Sequence, residues 1–530
     1  MMRKKLSVCF IIAVLVCTSF SVFSCAGKPG GAGETGKPTF KLGSELLQSK
    51  YAHLIEGKKV GLVTNQSGVN ARGESTMELL YRDPRCQLVA LYAPEHGLDG
   101  KAGAGAYIES YIHEKMGLPV YSLYGQTRMP TAEMLEDIDL LIFDIQDIGA
   151  RTYTYMSTLN YCMVAAQKYG KPIIVLDRPN PLGGRIVDGP VLEDDYYATF
   201  VGVDNLPMAH GMTAGELAQF FNRKIGAALT VVPMEGYRRT MTFADTGLEW
   251  VQTSPNIPHL DAVFCYMSTG LGEGTGIFQA DYFQWIGGKG IEAQRYAGLL
   301  NGAGLPGVTF LPEKRGEAGG VRLKITDYAT FNPARTGIYA LAYGYSLGDF
   351  KIPKSGPTKE TMVMFDKVMG TNKIGQYLEQ GLTPQEIEAR YAPALNRFKE
   401  ERKKYLLKEY DPGEVSIVVD GKEIAFDSAP YINTDDRVMV PFRAIAEALG
   451  AKVGWEPLNR EVTFTRGKQA VLLRIGSPVI VAGGKRHKVD TVPVIKNSRT
   501  MVPVRFISEF LGAEVDWDGH FKIVTVNSGW

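Results

Sequence analysis

The chain has 530 residues, of which 45% are hydrophobic and 22% are charged. This composition predicts two to four globular domains and excludes extensive disorder. Its 58 Lys and Arg residues nearly balance its 57 Asp and Glu residues. No global charge therefore attracts nucleic acid or an anionic surface, and we expect no nucleic-acid partner.

The N-terminal segment has the order of a secretory signal. Basic residues at positions 3–5 precede an apolar stretch at 6–20, and small residues follow. We expect a signal peptide with a lipobox over 1–26, with Cys25 as the lipidated residue, and cleavage after Ala26 is the alternative. The Gly-rich residues 27–38 predict a flexible linker. An extracytoplasmic location follows, either as a membrane-anchored lipoprotein or as a secreted, wall-associated protein.

Strands and helices alternate through the next part of the chain. Apolar runs predict strands at 59–64, 87–93, 119–124, 140–143, 173–176 and 229–233, and amphipathic segments predict helices at 75–81, from about 152 to 169, and from 213. Such alternation predicts a Rossmann-like parallel sheet over 39–235. The dinucleotide glycine fingerprint does not follow the first strand, so we expect no nicotinamide cofactor.

Polar residues cluster just after the predicted strands. Open α/β sheets bind ligands at the carboxyl ends of their strands, so we expect a site there. A plain linker does not need this many charged and amide groups. The residues concerned are Asn65, Gln66, Glu95, His96, Asp144, Gln146, Asp147, Arg151, Asp177, Arg178 and Asn180.

The pattern changes after residue 235. A Ser-Pro-Asn turn at 254–258 and a Gly-rich stretch at 269–276 predict an α+β ancillary subdomain over 236–408. Within it, Pro393 is expected to kink or break the charged helix at 384–405, whose charges form a solvated face. The free cysteines Cys86, Cys162 and Cys265 are odd in number and widely spaced, which indicates buried thiols and neither a disulfide framework nor a metal site.

The C-terminal part contains an internal repeat. Residues 437–451 recur as 499–513, and Trp455 and Trp517 occupy matching places. A repeat indicates a duplicated unit, here a strand, a short amphipathic helix and a strand pair. We expect a small α+β domain over 412–530 that binds or spaces and takes no part in catalysis.

Several motifs together resemble the DUF1343 family, whose characterised members are exo-β-N-acetylmuramidases. The resemblance spans about residues 40–405 and rests on GLVTNQSGV (61–69), APEHGL (93–98), FDIQDIGARTYTYMSTL (143–159), DRPNPLGG (177–184), GPVLE (189–193), HGMTAGELA (210–218) and SPNIP (254–258). It implies a Rossmann-like domain plus an ancillary subdomain that completes the cleft. The repeat segment resembles the copper amine oxidase N-terminal-like (stalk) domain, without obvious copper ligands.

The resemblance implies release of N-acetylmuramic acid from the non-reducing end of peptidoglycan fragments, without a cofactor. Such chemistry requires an acid and usually a second carboxylate. Glu95 is the candidate acid, His96 tunes it or binds sugar, and Asp144 or Asp147 is the second carboxylate. Asp147 has N-capping of the following helix as its alternative role.

Arginines and amides are the predicted substrate contacts. Arg151 and Arg178 are candidates for the lactyl carboxylate of muramic acid, although one of them has an alternative as a structural partner of Asp144 or Asp177. The family usually carries an Arg pair where this chain has the shorter stretch 270–279, in which Glu273 keeps the acidic role. The remaining predicted contacts are Asn65, Gln66, Gln146, Asp147, Asp177, Asn180 and His210.

Two other functions compete with a glycosidase. The altered 270–279 stretch and the appended domain suit a wall-glycan-binding protein that has lost turnover. An esterase or amidase is disfavoured, because the chain has no Gly-x-Ser-x-Gly elbow.

Overall fold

The computed structural model describes residues 40–193, 196–348, 350–411, 413–519 and 521–529. The predicted signal peptide with Cys25 and the whole predicted linker lie outside these residues. Within the described ranges, no helix is long and apolar enough to cross a membrane.

A seven-stranded sheet forms the first half of the described chain. Its strands are β1 (Lys59–Thr64), β2 (Gln87–Ala93), β3 (Tyr111–Ile112), β4 (Pro119–Ser122), β5 (Leu140–Asp144), β6 (Ile173–Leu176) and β7 (Leu229–Val232). They lie in the order β3-β4-β2-β1-β5-β6-β7, and only the β3–β4 pair is antiparallel. The predicted Rossmann-like parallel sheet is therefore confirmed, with the strand order reversing between β1 and β5.

Helices cover this sheet, and their ends follow local sequence signals. They are α1 (Gly43–Leu47), α2 (Thr76–Arg82), α3 (Ala132–Leu135), α4 (Tyr155–Lys168) and α5 (Ala214–Ile225). Thr213 and Glu216 form the predicted capping box of α5, and Gly226 ends it at φ 70°. Helix α4 begins later than predicted, at Tyr155. Its N-cap residue, Thr154, makes no capping bond, because its hydroxyl donates to Glu95.

The second part of the chain is α+β, as predicted. Its helices are α6 (Leu260–Thr269), α7 (Ala293–Gly302), α8 (Pro333–Leu347), α9 (Met364–Met369), α10 (Lys373–Glu379) and α11 (Pro384–Arg402). Strands β8 (Phe278–Ala280), β9 (Trp285–Lys289), β10 (Val308–Arg315) and β11 (Ala318–Ile325) form an antiparallel sheet in the order β10-β11-β9-β8. Single 3₁₀ turns span Ala52–Leu54, Phe243–Thr246, Lys359–Thr361, Lys403–Tyr405 and Lys408–Tyr410.

Helix α11 runs through Pro393 without the predicted break. It buries a stripe formed by Ile387, Tyr391, Leu395 and Phe398. An interior proline costs about 3 kcal/mol, whereas each large apolar side chain contributes about 1.5–3 kcal/mol on burial. Packing of the stripe therefore outweighs the cost of the proline.

The C-terminal part is built from the repeat. Its helices are α12 (Phe442–Ala448) and α13 (Val504–Phe510), and its strands are β12 (Ser416–Val419), β13 (Lys422–Glu423), β14 (Tyr431–Ile432), β15 (Val438–Pro441), β16 (Lys452–Glu456), β17 (Glu461–Arg466), β18 (Gln469–Arg474), β19 (Val479–Ala482), β20 (Lys485–Lys488), β21 (Val494–Lys496), β22 (Arg499–Pro503), β23 (Glu514–Asp518) and β24 (Ile523–Asn527). They form sheets in the orders β13-β12-β24-β23, β14-β15-β22-β21 and β16-β17-β18-β19-β20.

The two repeats have the predicted composition. Each consists of a strand, a short helix and two strands, namely β15-α12-β16-β17 and β22-α13-β23-β24. Strands β15 and β22 pair antiparallel, with Val440 opposite its repeat equivalent Val502. The duplicated units therefore meet about a local two-fold axis.

An aromatic side chain joins the C-terminal part to the rest of the protein. Phe521 is 5% exposed and belongs, with Val418 and Ile523, to the core of the preceding part. The guanidinium groups of Arg239 and Arg402 lie over its ring, 5.2 and 5.8 Å from the centroid. The sequence gives no sign of this contact, which makes the C-terminal part a packed component of the structure.

Replacing Phe521 by Ala should destabilise the protein as a whole. The change leaves a cavity beside two buried arginines and should cost about 3 kcal/mol. Differential scanning calorimetry should show a lowered unfolding temperature, whereas Ile432→Ala, at an exposed position, should change stability by about 0.5 kcal/mol or less. Equal effects of the two substitutions would contradict the packing role of Phe521.

Candidate active site

Loops from four neighbouring strands meet at one edge of the large sheet. In the register, Thr64 of β1 lies opposite Asp144 of β5, Val63 opposite Tyr92 of β2, and Phe143 opposite Val175 of β6. Because these strands are parallel, their carboxyl ends are level. The loops that carry the predicted residues therefore share the crevice where the strand order reverses.

Glu95, in the loop after β2, is 8% exposed and held at both carboxylate oxygens. Its Oε1 accepts from the backbone N–H of Gly105 at 2.8 Å, and its Oε2 accepts from the hydroxyl of Thr154 at 2.5 Å. Its charge contributes to the raised pKa values of three phenols, at Tyr124, Tyr155 and Tyr266, all raised mainly by burial. Glu95 thus lies among aromatic rings contributed by separate segments.

His96 fixes the loop that holds Glu95. Its Nδ1 lies 2.7 Å from the carbonyl oxygen of Ala102, to which it donates, and the N–H of Ala102 donates to the His96 carbonyl at 3.2 Å. His96 also has φ 71°, in the left-handed region that side chains rarely adopt. Strained backbone of this kind is typical of functional sites. By holding Ala102, His96 positions Gly105 as a donor to Glu95.

Tyr266 of α6 carries a phenol on which the charges of three predicted carboxylates act. Its hydroxyl lies 3.2 Å from the Thr152 hydroxyl. Burial first, and then the charges of Glu95, Glu273 and Asp147, raise the pKa of Tyr266 to about 12. Glu273 is exposed and comes from the second part of the chain, after α6. The two parts therefore contribute carboxylates to the same phenol.

Asp147 and His210 form a buried pair at this site. Nδ1 of His210 accepts from the N–H of Met212 at 3.2 Å, which leaves the proton on Nε2, 3.3 Å from Oδ2 of Asp147. The same Oδ2 accepts from the N–H of Gly149 at 2.8 Å, whereas Oδ1 is buried without a hydrogen-bond partner. Asp147 therefore holds its own loop and does not cap α4.

Asn65 and Gln66 hold the loop after β1. Oδ1 of Asn65 accepts from the N–H and hydroxyl of Ser67, at 2.9 and 2.6 Å, while its Nδ2 is buried without a partner. Nε2 of Gln66 donates to the carbonyls of Gln252 and Thr253 at 2.7 and 3.0 Å. Gln66 therefore connects the sheet to the segment before the Ser-Pro-Asn turn.

Asp144 and Arg178 bind each other. Nε and Nη2 of Arg178 donate to the two oxygens of Asp144 at 2.5 and 3.0 Å, and both side chains are buried. A two-pronged pair of this kind uses one acceptor site on each carboxylate oxygen. The structure therefore gives Asp144 and Arg178 each other as partners, which favours the alternative of Arg178 as a structural partner of Asp144.

A crevice lined by both polar and apolar side chains lies beside this ion pair. It has a volume of about 170 Å³, and its lining includes Arg178, Gln146 and Ser67. Nε2 of Gln146 donates to the carbonyls of Asp147 and Pro179, each at 2.8 Å. Gln146 therefore braces two loops while lying against the crevice.

Three predicted contacts are held by hydrogen bonds to other protein groups. Arg151 donates to the carbonyls of Pro190, Leu206 and Val368, and burial lowers its pKa to about 9. Asp177 accepts from the N–H groups of Arg178 and Gly215 and from the hydroxyls of Thr213 and Tyr410, and burial raises its pKa to about 7. Asn180 braces its own turn through Leu182 and Met212. The structure gives all three a structural role in place of the predicted substrate contact.

Sequence reasoning missed Tyr266, Thr154 and Tyr124. Tyr266 lies in the apolar helix α6, whose sequence predicts a buried core residue at this position. Thr154 lies in the motif at 143–159, in which only the charged and amide residues were predicted to belong to the site. The exposed Arg128 was also missed, and its guanidinium lies 4.3 Å from the Tyr124 ring centroid. In the part of the chain that the structure describes, no three His, Cys, Asp or Glu residues cluster as a metal site.

Three family models match the chain in succession. The model described as the N-terminal part of exo-beta-N-acetylmuramidase NamZ matches residues 60–261, and the model of the C-terminal part matches residues 264–407. The model described as the copper amine oxidase N-terminal domain matches residues 418–526. The chain is 41% identical over 405 residues to the peptidoglycan beta-N-acetylmuramidase NamZ of Bacillus subtilis (strain 168), an alignment that covers 73% of this chain and 96% of that one.

Solved structures agree with these matches. One DUF1343 family protein from Bacteroides fragilis NCTC 9343 is 36% identical with a TM-score of 0.62, over 70% of this chain and all of that one. A second from the same organism is 27% identical with a TM-score of 0.52, over 69% of this chain and 98% of the other. The chain therefore belongs to the exo-β-N-acetylmuramidase NamZ family of glycosidases and carries a copper amine oxidase N-terminal domain at its C-terminal end.

Proposed function

We propose that the protein is an exported glycosidase that releases N-acetylmuramic acid from the non-reducing end of peptidoglycan fragments, with Glu95 as its general acid. The position of Glu95 just after the carboxyl end of β2, where Thr154 and Gly105 hold both of its carboxylate oxygens, carries this proposal. The name of the Bacillus subtilis relative supports the substrate. Export rests on the signal sequence and lipobox around Cys25.

Glu95 suits the acid role because its position is fixed. Hydrolysis of a glycosidic bond needs a carboxylic acid that protonates the departing oxygen. Thr154 and Gly105 orient the Glu95 carboxyl, and His96 holds the loop that supplies Gly105. In its protonated form, Glu95 then delivers the proton from a defined direction.

Glu273 suits the second carboxylate better than Asp144 or Asp147. Asp144 forms an ion pair with Arg178, and the Asp147 carboxylate is buried. Glu273 is exposed and follows α6, which places it in the second part of the chain, whereas Glu95 follows β2. Acid and second carboxylate flank the scissile bond in such enzymes, and we therefore assign the second role to a carboxylate from the other part of the chain.

Arg128 suits the lactyl carboxylate of muramic acid. Arg151 and Arg178, predicted for this task, donate to internal partners. Arg128 is exposed and lies over the ring of Tyr124. The charge of Glu95 contributes to the raised pKa of the Tyr124 phenol. Arginine binds carboxylates through two parallel hydrogen bonds. In this chain, which lacks the Arg pair in 270–279, Arg128 takes over that contact.

The first test is Glu95→Gln. Removal of a general acid should lower kcat for N-acetylmuramic acid release from a muramic-acid-terminated glycan by about 10³-fold. The unfolding temperature should stay the same. Glu109→Gln, a matched change at an exposed glutamate, should keep full activity. Near-normal turnover in Glu95→Gln would show that Glu95 is not the general acid. Glycan binding by the wild type without product would favour a wall-glycan-binding protein.

The second test is Arg128→Met. The variant should lose selectivity for N-acetylmuramides over N-acetylglucosaminides by about tenfold or more, because only muramic acid carries the carboxylate and a charged hydrogen bond contributes about 1.5–3 kcal/mol. The loss should appear in KM for the muramide. Arg72→Met, at an exposed arginine, is the control and should leave the ratio unchanged. An unchanged ratio in Arg128→Met would exclude Arg128 from this role.

A further inference from the structure

The turn between β8 and β9 holds three consecutive residues in an unfavourable backbone conformation. Asp281, Tyr282 and Phe283 have φ angles of 50°, 52° and 68°, in the left-handed region that residues with side chains rarely adopt. Glycine is the residue that occupies this region without steric cost, and none of the three is a glycine. Strain of this kind persists only where surrounding contacts impose it, and it clusters at functional sites.

Asp281, the first residue of this turn, is anchored by charge. Its carboxylate forms ion pairs with Arg315 of β10 and Arg322 of β11. Hydrogen bonds from Arg315, and then from Arg322, hold the pKa of the Asp281 carboxyl below its usual range. Because the two arginines lie on neighbouring strands, the turn is attached to the antiparallel sheet at its first residue.

Phe283, the last of the three residues, is anchored in the proposed active site. Its ring centroid lies 5.0 Å from that of Tyr266, with the two rings at 67° to each other. Its carbonyl accepts from the hydroxyl of Thr269 at 2.8 Å. A Cβ placed on Gly270 would lie 3.3 Å from the Phe283 ring, so Phe283 also packs against the start of the stretch that carries Glu273. The turn is therefore fixed at both ends.

Tyr282, between these two anchors, directs its ring outward. It is 50% exposed, and its ring meets the ring of His259 edge-on at 6.0 Å between centroids. His259 follows the Ser-Pro-Asn turn, just before which Thr253 accepts the hydroxyls of Tyr153 and Tyr155. The Tyr282 ring therefore lies at the solvent-facing rim of the aromatic surface that surrounds the proposed site.

This aromatic surface runs from the interior to solvent. Successive rings lie 4.9, 6.0 and 5.0 Å apart along the series Tyr155, Tyr153, Tyr266 and Phe283. Tyr155, at the inner end, is 1% exposed and lies 6.4 Å from the ring of His96, next to Glu95. Tyr282 follows Phe283 at the outer end. The series therefore leads from the proposed acid to the exposed ring.

We propose that Tyr282 is the platform on which the sugar on the leaving side of the scissile bond stacks. The assignment rests on the proposed function. An enzyme that removes a terminal sugar holds that sugar at the closed end of its site, and the remaining glycan extends toward solvent past the outer end. The apolar C–H face of a sugar packs on an aromatic ring and removes both from water. The strained turn then has a use, because it presents a large ring at a position that favours glycine.

The test compares two substrates of the full chain. One is the disaccharide N-acetylmuramyl-β-1,4-N-acetylglucosamine, and the other is N-acetylmuramyl β-fluoride, whose leaving group carries no sugar. Tyr282→Ala should lower kcat/KM for the disaccharide by about tenfold, mainly through KM, and should change that for the fluoride by about twofold or less. Tyr282→Phe keeps the ring and should restore the disaccharide activity.

Two further variants separate binding from folding. Tyr282→Gly removes the ring and relieves the strained φ, so it should lose the same disaccharide activity without a lowered unfolding temperature. Tyr81→Ala, a matched change at a tyrosine that is 46% exposed, should match the wild type on both substrates. Stability and activity should therefore change in different directions only at position 282.

Three results would overturn the platform. Unchanged kcat/KM for the disaccharide in Tyr282→Ala would make the ring an ordinary surface group. Equal losses on both substrates would place it against the terminal sugar, and a lowered unfolding temperature in Tyr282→Gly would give it to the fold. A wild type inactive on both substrates would contradict the proposed function instead. The Kd of the intact disaccharide would then decide, since Tyr282→Ala should raise it about tenfold and an equal Kd would exclude the platform.

Discussion

The parallel pairing of β1 with β2 on one side and β5 on the other is the constraint on which the site depends. This register brings the ends of the strands level and collects their loops in one crevice. Every polar side chain at these loops is then partly or fully removed from water, where it needs a partner within the protein or a ligand. Asp144 and Arg178 meet this demand by pairing, and Glu95 meets it through Thr154 and Gly105.

The same demand separates structural residues from those of the proposed site. Arg151 and Asp177 are buried and contact only protein groups, so they join segments that are distant in sequence. Removing one partner from such a buried pair or network costs about 3–5 kcal/mol, because a charge is left without compensation. Glu273 and Arg128 are exposed and have room to contact a substrate. Exposure therefore distinguishes Glu273 and Arg128 from these structural residues, whereas Glu95 is buried and is distinguished by its position after β2.

Much of the fold could be predicted from local signals. The apolar runs marked the strands, the Thr213–Glu216 capping box marked the start of α5, and the repeat at 437 and 499 marked the duplicated unit of the C-terminal domain. These features depend on neighbouring residues or on self-similarity. A kink or break was expected at Pro393, and the break does not occur, because tertiary packing along α11 overrides the local cost of the proline.

The site was less predictable, since it depends on which side chains meet in space. The sequence shows which charged residues follow the strands, but not that protein groups already hydrogen-bond them. These residues are Asp144, Arg151, Asp177 and Arg178. Tyr266 lies in an apolar helix, although the charges of three carboxylates raise the pKa of its phenol. Phe521 reads as an ordinary turn residue, yet it fills the core between Arg239 and Arg402. Each of these contacts joins segments far apart in the chain.

The proposed role of Glu95 as proton donor is tested most directly by asking whether the activity lost in Glu95→Gln depends on the leaving group. The measurement compares kcat/KM of the wild type and the Gln variant on a muramic-acid-terminated glycan and on an aryl N-acetylmuramide with an acidic phenol. A phenol of this kind departs without protonation, so the variant should lose far more activity on the glycan than on the aryl substrate. Equal losses on the two substrates would contradict the account, because Glu95 would then act on something other than the departing oxygen.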